Sequence, residues 1–228
     1  MGRADKIMSF AKARPGRERA EFQQWFLKEY AARLTAVPGS RRCVVNLVDV
    51  TPAKVSWRRP DEANPIPDAP PYDVVSEVWV DDAENFAMPD GLETWCDTLH
   101  AYRVSETIEK DEQRVTPGQR SPGAKYIAVC VFHDDMSEAA ARRSWAHHVG
   151  LALKVHVGMS KYVRNWVEIP PEPGTPYAQG IVELHFPTMA DLENRWFDSE
   201  SGRLQIVQDI GHFLKSGNRM FTSEYVLR

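Results

Sequence analysis

The sequence predicts an α+β fold built from two similar halves, each running β-α-β-β-α-β. Three observations predict it. Strand-like and helix-like stretches follow the same order in residues 1–117 and 125–228. An ungapped offset of 119 residues lays FLKEYAARLTAVPGSRRCVVN (26–46) on WAHHVGLALKVHVGMSKYVRN (145–165), pairing Leu34 with Leu153, Gly39 with Gly158, Val44 with Val163 and Asn46 with Asn165. Each half also has a proline-rich segment between its second and third strands, with Pro71-Tyr72 and Pro176-Tyr177 at matching places.

In the first half KIMSFAK (6–12) reads as a strand, and ARPG breaks it. Residues 17–37 read as a helix, because Phe22, Phe26, Tyr30, Leu34 and Val37 recur at three and four residue intervals and make one apolar stripe. Pro38-Gly39 ends it. CVVNLVDV (43–50) is the second strand and VVSEVWV (74–80) the third, with a proline-rich loop between them of the kind that often carries function. Residues 83–105 read as a broken helix and IEKDEQRV (108–115) as a poor fourth strand. TPGQRSPGA (116–124) has linker composition, so the chain divides as 1–117, a linker at 118–124, and 125–228.

The second half repeats the order. KYIAVCVF (125–132) is a strand, Ser137 is the expected N-cap of a helix to about Val157, and Gly158 ends that helix. KYVRNWVEI (161–169) and GIVELHF (180–186) are strands, residues 190–216 are the second helical region, and RMFTSEYVLR (219–228) closes as a strand. This is the split-βαβ, ferredoxin-like order. Such a unit has helices on one face of an antiparallel sheet, so its other face needs cover. The second copy supplies it: the two sheets are expected to pack face to face and enclose a barrel-like cavity.

Composition excludes several function classes. With 43% hydrophobic and 26% charged residues the chain can build a sizeable core. A net charge of −4 leaves no basic footprint for nucleic acid. The longest apolar runs are too short to cross a bilayer as a helix. MGRADKIMSFAKARPG lacks the order of a secretion signal, and Cys43, Cys96 and Cys130 lack metal or redox spacing, which together predict a reduced cytoplasmic protein. No phosphate-binding glycine loop, GxSxG or HExxH is present.

Candidate chemistry lies on the third strands and on the 139–157 helix. Alternation puts Val182, Leu184 and Phe186 toward the helices, and Glu183 and His185 toward the inter-sheet space with Glu77 and Trp79 of the first half. Glu183 and His185 share one strand face, roughly 6.5 to 7 Å apart, and form a candidate acid/base pair. On the helix, His148 borders the apolar face, His156 lies near its end, and His147 points to solvent. These spacings do not make a metal site, so no metal is expected. Tyr126 heads a small-residue track with Ala128 and Cys130 and is a candidate proton donor. Asn46 and Asn165 are candidate substrate ligands, and Trp79 and Phe132 candidate ring walls.

KARPGRERAEFQQWFLKEYAARLTAVPGSRRCVVN, SWAHHVGLALKVHVGMSKYVRN and DSESGRLQIVQDIGHFLKSGNRMFTSEYVL together resemble the EthD-domain group of dimeric α+β barrel proteins. The family often has a histidine on the helix, which His148 or His147 would match; Glu29 and Tyr30 mark the departure of the first half. The resemblance implies a dimeric α+β barrel body with a cavity, and pairing into homodimers. It also implies cofactor-free cyclases, dehydratases, decarboxylases or isomerases of aromatic and polyketide-like compounds, with heme proteins and cofactor-free monooxygenases among other relatives. The expectation is therefore an acid/base lyase or isomerase without cofactor, acting on a small aromatic substrate through His148, His185, Glu183, Tyr126 and His156. A carrier of an aromatic ligand, an accessory to an oxygenase, or a cofactor-free monooxygenase are the alternatives. The pocket lies either between the sheets, favouring Glu183 and His185, or between sheet and helices, favouring His148 and His156.

Overall fold

Strand β3 (Val74–Val80) is buried at all seven positions, which requires cover on both of its faces. A computed structural model describing residues 5–49, 70–168 and 174–228 shows what provides it. The chain runs β1 (Asp5–Ala13), α1 (Arg19–Trp25), a π turn (Phe26–Tyr30), α2 (Ala31–Ala36), β2 (Ser40–Val48), β3, β4 (Cys96–Asp111) and β5 (Gln119–Arg120). It continues through β6 (Ala124–Phe132), α3 (Glu138–Val155), β7 (Lys161–Val167), β8 (Gly180–Phe186), α4 (Met189–Asn194), α5 (Glu200–Gly211) and β9 (Leu214–Val226). The strands stand in the order β2-β3-β1-β4-β7-β8-β6-β9, and β9 pairs back onto β2 through Val44 and Val226, which closes an antiparallel eight-stranded barrel. The short β5 adds to β9 beside β6.

The expectation of two separate facing sheets is thus corrected to one continuous closed sheet. Its halves join at two seams, β4 with β7 and β2 with β9. Within each half the strand order is the same, β2-β3-β1-β4 and β7-β8-β6-β9. β6 lies 119 residues beyond β1 at both ends (5 to 124, 13 to 132), the offset read from the sequence.

Other expectations change as well. Residues 83–105 do not form a helix: Pro89 and Gly91, the latter at φ 103°, hold an irregular segment, and β4 starts at Cys96 because alternate residues Tyr102 and Val104 turn into the barrel. The 118–124 segment carries β5 and the first residue of β6 instead of running free. The 190–216 region splits into α4 and α5, and β9 begins at Leu214, before the expected Arg219. Most of the long proline-rich loop, 50–69, lies outside the described residues, as does 169–173 of the shorter one.

The helices of the described residues pack on the outside of the barrel. Phe22, Phe26, Leu34, Cys43 and Val78 make the outer core of the first half, and Trp145, Ala152, Tyr162, Leu184 and Phe186 that of the second. The inside is filled from both ends. Phe10, Val75, Tyr102, Ile127, Ile181 and Met220 form an apolar plug. Above it two buried lysines meet four glutamates. Lys6 pairs with Glu77 at 2.7 Å, Glu106 at 2.9 Å and Glu183 at 2.6 Å; Lys125 pairs with Glu183 at 2.6 Å, Glu224 at 3.1 Å and also Glu77. Asn46 and Asn165 donate to Glu77 and Glu183 at 2.8 and 2.7 Å. Burial opposes every charge here, yet the glutamates raise both lysine pKa values, and the lysines hold Glu77 below and Glu183 well below the usual carboxylate range.

Removing one partner of such a network strands the others. Lys125→Met leaves three carboxylates short of a cation and should cost about 3–5 kcal/mol, read from urea unfolding at pH 7. Acid should unfold the protein early. Burial lowers His185 and His156 to about 4 from an ordinary 6.5, so between these values only the unfolded chain takes up their protons. Stability is then complete above pH 6.5 and falls as pH drops, by about 2 kcal/mol per histidine at pH 5. The depressed Glu77 and Glu183 extend the loss as pH falls below the ordinary carboxylate range toward their own lower values. His185→Gln should remove its share of the slope between pH 7 and 5.

Candidate functional site

Helix α3 begins at a Ser137 cap whose hydroxyl accepts from the Ala140 amide. Its inward face carries Ala141, Trp145, His148, Val149, Ala152 and Val155, all buried. The 119-residue offset sets this face against that of the first half, where Phe22 stands for Ala141, Trp25 for Ser144 and Tyr30 for Val149. The larger rings fill the first half: Trp25 stacks on Trp95 with centroids 4.6 Å apart, and the Tyr30 hydroxyl donates to the Pro89 carbonyl at 2.6 Å. In the second half the α3 residues Trp145, His148, Ala152 and His156 border open space. A cavity of about 390 Å³ opens there between the sheet and helices α3 and α5.

The floor of the cavity is the outer face of β6 and β8, including Tyr126, Ala128, Cys130 and Leu184. The small-residue track read from the sequence is therefore the floor of the sheet–helix space and not of the barrel interior. Phe132 is also on this wall, stacked on Trp166 at 5.4 Å. Burial pushes the Tyr126 hydroxyl and the Cys130 thiol up to about 12, so both are protonated at neutral pH.

Two histidines line the cavity. His148 Nδ1 lies 2.7 Å from Asp209 Oδ2 of α5. His156, the C-cap of α3, has Nδ1 2.7 Å from the Trp196 carbonyl. A carbonyl only accepts, so His156 carries its proton on Nδ1; the carboxylate asks the same of neutral His148. In both rings Nε2 is then the nitrogen open to a guest. Burial lowers both pKa values, His156 to about 4; for His148 the bond to Asp209 works against burial.

The structure thus separates the residues singled out in the sequence into two groups on opposite faces of one sheet. His148, His156, Tyr126 and Phe132 meet at the cavity. Glu183, His185, Glu77, Trp79, Asn46 and Asn165 lie inside the barrel, in or beside the lysine–glutamate network. Glu183 orients no imidazole of the cavity, because the residues on either side of it, Val182 and Leu184, are the ones that line it. Arg164 of the neighbouring strand pairs with Glu109. Sequence reasoning missed Asp209, Trp196 and Phe213. Asp209 had one weak signal: it immediately precedes Ile210, on a helix whose Ile206 and Ile210 face the cavity. Among the described residues no group of three or more His, Cys, Asp or Glu is placed to hold a metal.

No family model matches the chain, and no curated protein matches it in sequence. Solved structures do share its fold. An anthrone oxidase-like protein superposes with a TM-score of 0.64 at 9% identity, covering 100% of this chain and 92% of its own. A candidate monooxygenase from Fusobacterium nucleatum gives 0.55 at 11% identity, covering 100% and 94%. A dye-decolorizing peroxidase from Bacteroides thetaiotaomicron gives 0.51 at 11% identity, covering 99% and 94%. At these identities the likeness is one of fold.

If Asp209 supports the imidazole as the geometry indicates, Asp209→Asn should lower the His148 pKa further, since a favourable charge leaves while burial stays. Ring-proton NMR titration of the two proteins would read the difference; an unchanged or raised value would refute the pairing.

Proposed function

We propose that this chain is an enzyme that binds a small, flat aromatic or polyketide-like molecule in the cavity under α3 and α5 and takes a proton from it with His148 Nε2. One observation carries the reading: a neutral imidazole, oriented by a carboxylate at 2.7 Å, stands on the wall of a mostly apolar cavity. Asp209 fixes the Nδ1–H tautomer, leaves the lone pair on Nε2, and stabilises the imidazolium that forms. The apolar walls suit a ring system, and 390 Å³ is within the range of small-molecule sites. Proton removal from a carbon conjugated with a carbonyl puts negative charge on an oxygen remote from the base, and the protonated Tyr126 hydroxyl and Arg219, both on the lining, are groups that can meet that charge.

The same chemistry serves a lyase, an isomerase or a cofactor-free oxygenase, because each starts from the carbanion. The recurring strand order and the 119-residue offset support a duplicated ferredoxin-like unit as its scaffold, with the second copy adapted as the reactive one. Pairing of two such bodies into a homodimer follows the same resemblance.

Since a protein of this fold is described as anthrone oxidase-like, anthrone is the first probe. Its central methylene is acidified by the ring carbonyl. Under argon in D₂O the enzyme should accelerate exchange of those hydrogens, seen by mass spectrometry, and His148→Gln should slow the exchange by about 10²–10⁴-fold. Full exchange by His148→Gln would overturn the assignment of the base. Admitting air then separates the outcomes: oxygen uptake with anthraquinone and water as products marks an oxygenase, and its absence a lyase or isomerase. A histidine held at Nδ1 by a carboxylate would also be able to hold a heme iron through Nε2, and the heme would supply redox chemistry. A Soret band on adding hemin, lost in His148→Ala, would overturn the cofactor-free part of the reading.

A further inference from the structure

The cavity has two chemically distinct ends, and this limits what fits it. One end is set by His148, whose ring lies 5.6 Å from Phe213, with Phe132 5.9 Å beyond on Phe213 and 5.5 Å from Trp145. The other is set by His156, whose ring meets Phe197 at 5.3 Å and Trp196 at 6.1 Å, and Trp196 meets Tyr126 edge-on at 5.1 Å. Along α3 the two histidines are eight residues apart, about 12 Å of helix rise. His156 is 5% exposed and lines the cavity, its Nδ1 is committed to the Trp196 carbonyl, and the reaction proposed above makes no use of it. The rest of the lining is mainly apolar, with Ala128, Cys130, Ala152, Leu184 and Ile206, and it also includes Tyr162 and Arg219.

His156 Nε2 faces the cavity with no protein partner, and a guest that covers it without bonding to it would leave it buried and unpaired, which is costly. Neutral and protonated on Nδ1, His156 offers an acceptor. The guest must therefore bring a donor to that end, about two helical turns from the group that meets His148. We propose that His156 is a specificity residue that accepts a hydrogen bond from a hydroxyl at the far end of an elongated, fused-ring phenol, so that the preferred ligands carry oxygen functions at both ends. Tyr126, whose ring lies on the same cluster, adds a donor there, and a phenolic hydroxyl can use either partner. A monocyclic phenol cannot span both ends. A fully apolar polycycle would strand the His156 nitrogen.

This inference rests on the cavity being an aromatic site, but it is read by binding and not by turnover. The probes are 2-naphthol, with one hydroxyl, and 2,6-dihydroxynaphthalene, with hydroxyls at opposite ends, titrated calorimetrically into the full chain at pH 7.5. The wild type should prefer the diol by about fivefold, the worth of one neutral hydrogen bond. His156→Asn keeps a side-chain N–H for the Trp196 carbonyl and deletes the nitrogen at Nε2. It should abolish the preference while leaving 2-naphthol binding unchanged. His156→Gln, which returns an amide oxygen near the Nε2 position, should restore part of it. Equal binding of the two probes by the wild type, or equal weakening of both in His156→Asn, would overturn the specificity role and leave the base assignment standing. Failure of either probe to bind the wild type would overturn both.

Discussion

The structure depends on charges that cross between its halves inside a closed barrel. Lys6 of β1 reaches Glu183 of β8, and Lys125 of β6 reaches Glu77 of β3, so each half supplies a cation to the other's carboxylate. Each lysine also holds a glutamate of its own half's last strand, Glu106 or Glu224. Desolvating six ionised groups is expensive, and such a network is weak evidence for net stability. What it supplies is geometry. Any slip of register by one residue would turn these side chains to the outer, apolar face of the sheet. The strands β6 and β8 that carry Lys125 and Glu183 inward also carry Tyr126, Ala128, Cys130 and Leu184 outward. Pinning one face therefore fixes the floor of the cavity on the other.

The two halves then diverge in what covers that floor. Both present a helix with an apolar stripe, and both helices start and stop at the same offset. In the first half the stripe is aromatic, and its space is closed by Trp25 on Trp95 and by Tyr30 on the 81–95 segment. In the second half α3 turns Trp145, His148, Ala152 and His156 to the space, and α5 with its preceding segment provides a wall without filling it. The first half is packed by rings on this side, and the second leaves room for a guest. The cavity therefore goes with two differences between the halves: the lining of the helix, Trp145, His148, Ala152 and His156, and the helix α5, which stands where the first half has an irregular segment.

Much of this was legible in the sequence. Period-two alternation placed Glu183 and His185 on the inward face and Leu184 and Phe186 on the outward one, and the offset of 119 set Asn46 against Asn165, which do occupy matching places on Glu77 and Glu183. Three things were not legible, for physical reasons. Closure of the barrel depends on pairing between β2 and β9, nearly the full chain apart, which no local pattern reports. Lys6 and Lys125 read as strand-end lysines, residues that are exposed by default, and only their four carboxylates make burial tolerable. Asp209 is tied to His148 across 61 residues by a tertiary contact, and a lone aspartate on an amphipathic helix looks like a solvated one.

The separation of the two faces also decides which histidine can do acid/base work. Burial depresses His148, His156 and His185 alike. His185 sits inside the barrel, its Nε2 buried without a hydrogen-bond partner and Glu224 3.8 Å away. The charge on Lys125 opposes its protonation, and Glu224 is already engaged by that lysine. A proton arriving there would have to disturb the network that holds the strands in register. His156 has a neutral carbonyl at Nδ1, which orients the ring, and the more distant Asp198 charge does not offset its burial. His148 alone combines a cavity wall with an anion on Nδ1. It can therefore be neutral before the reaction and charged after it, with the strands of the barrel left undisturbed in both states.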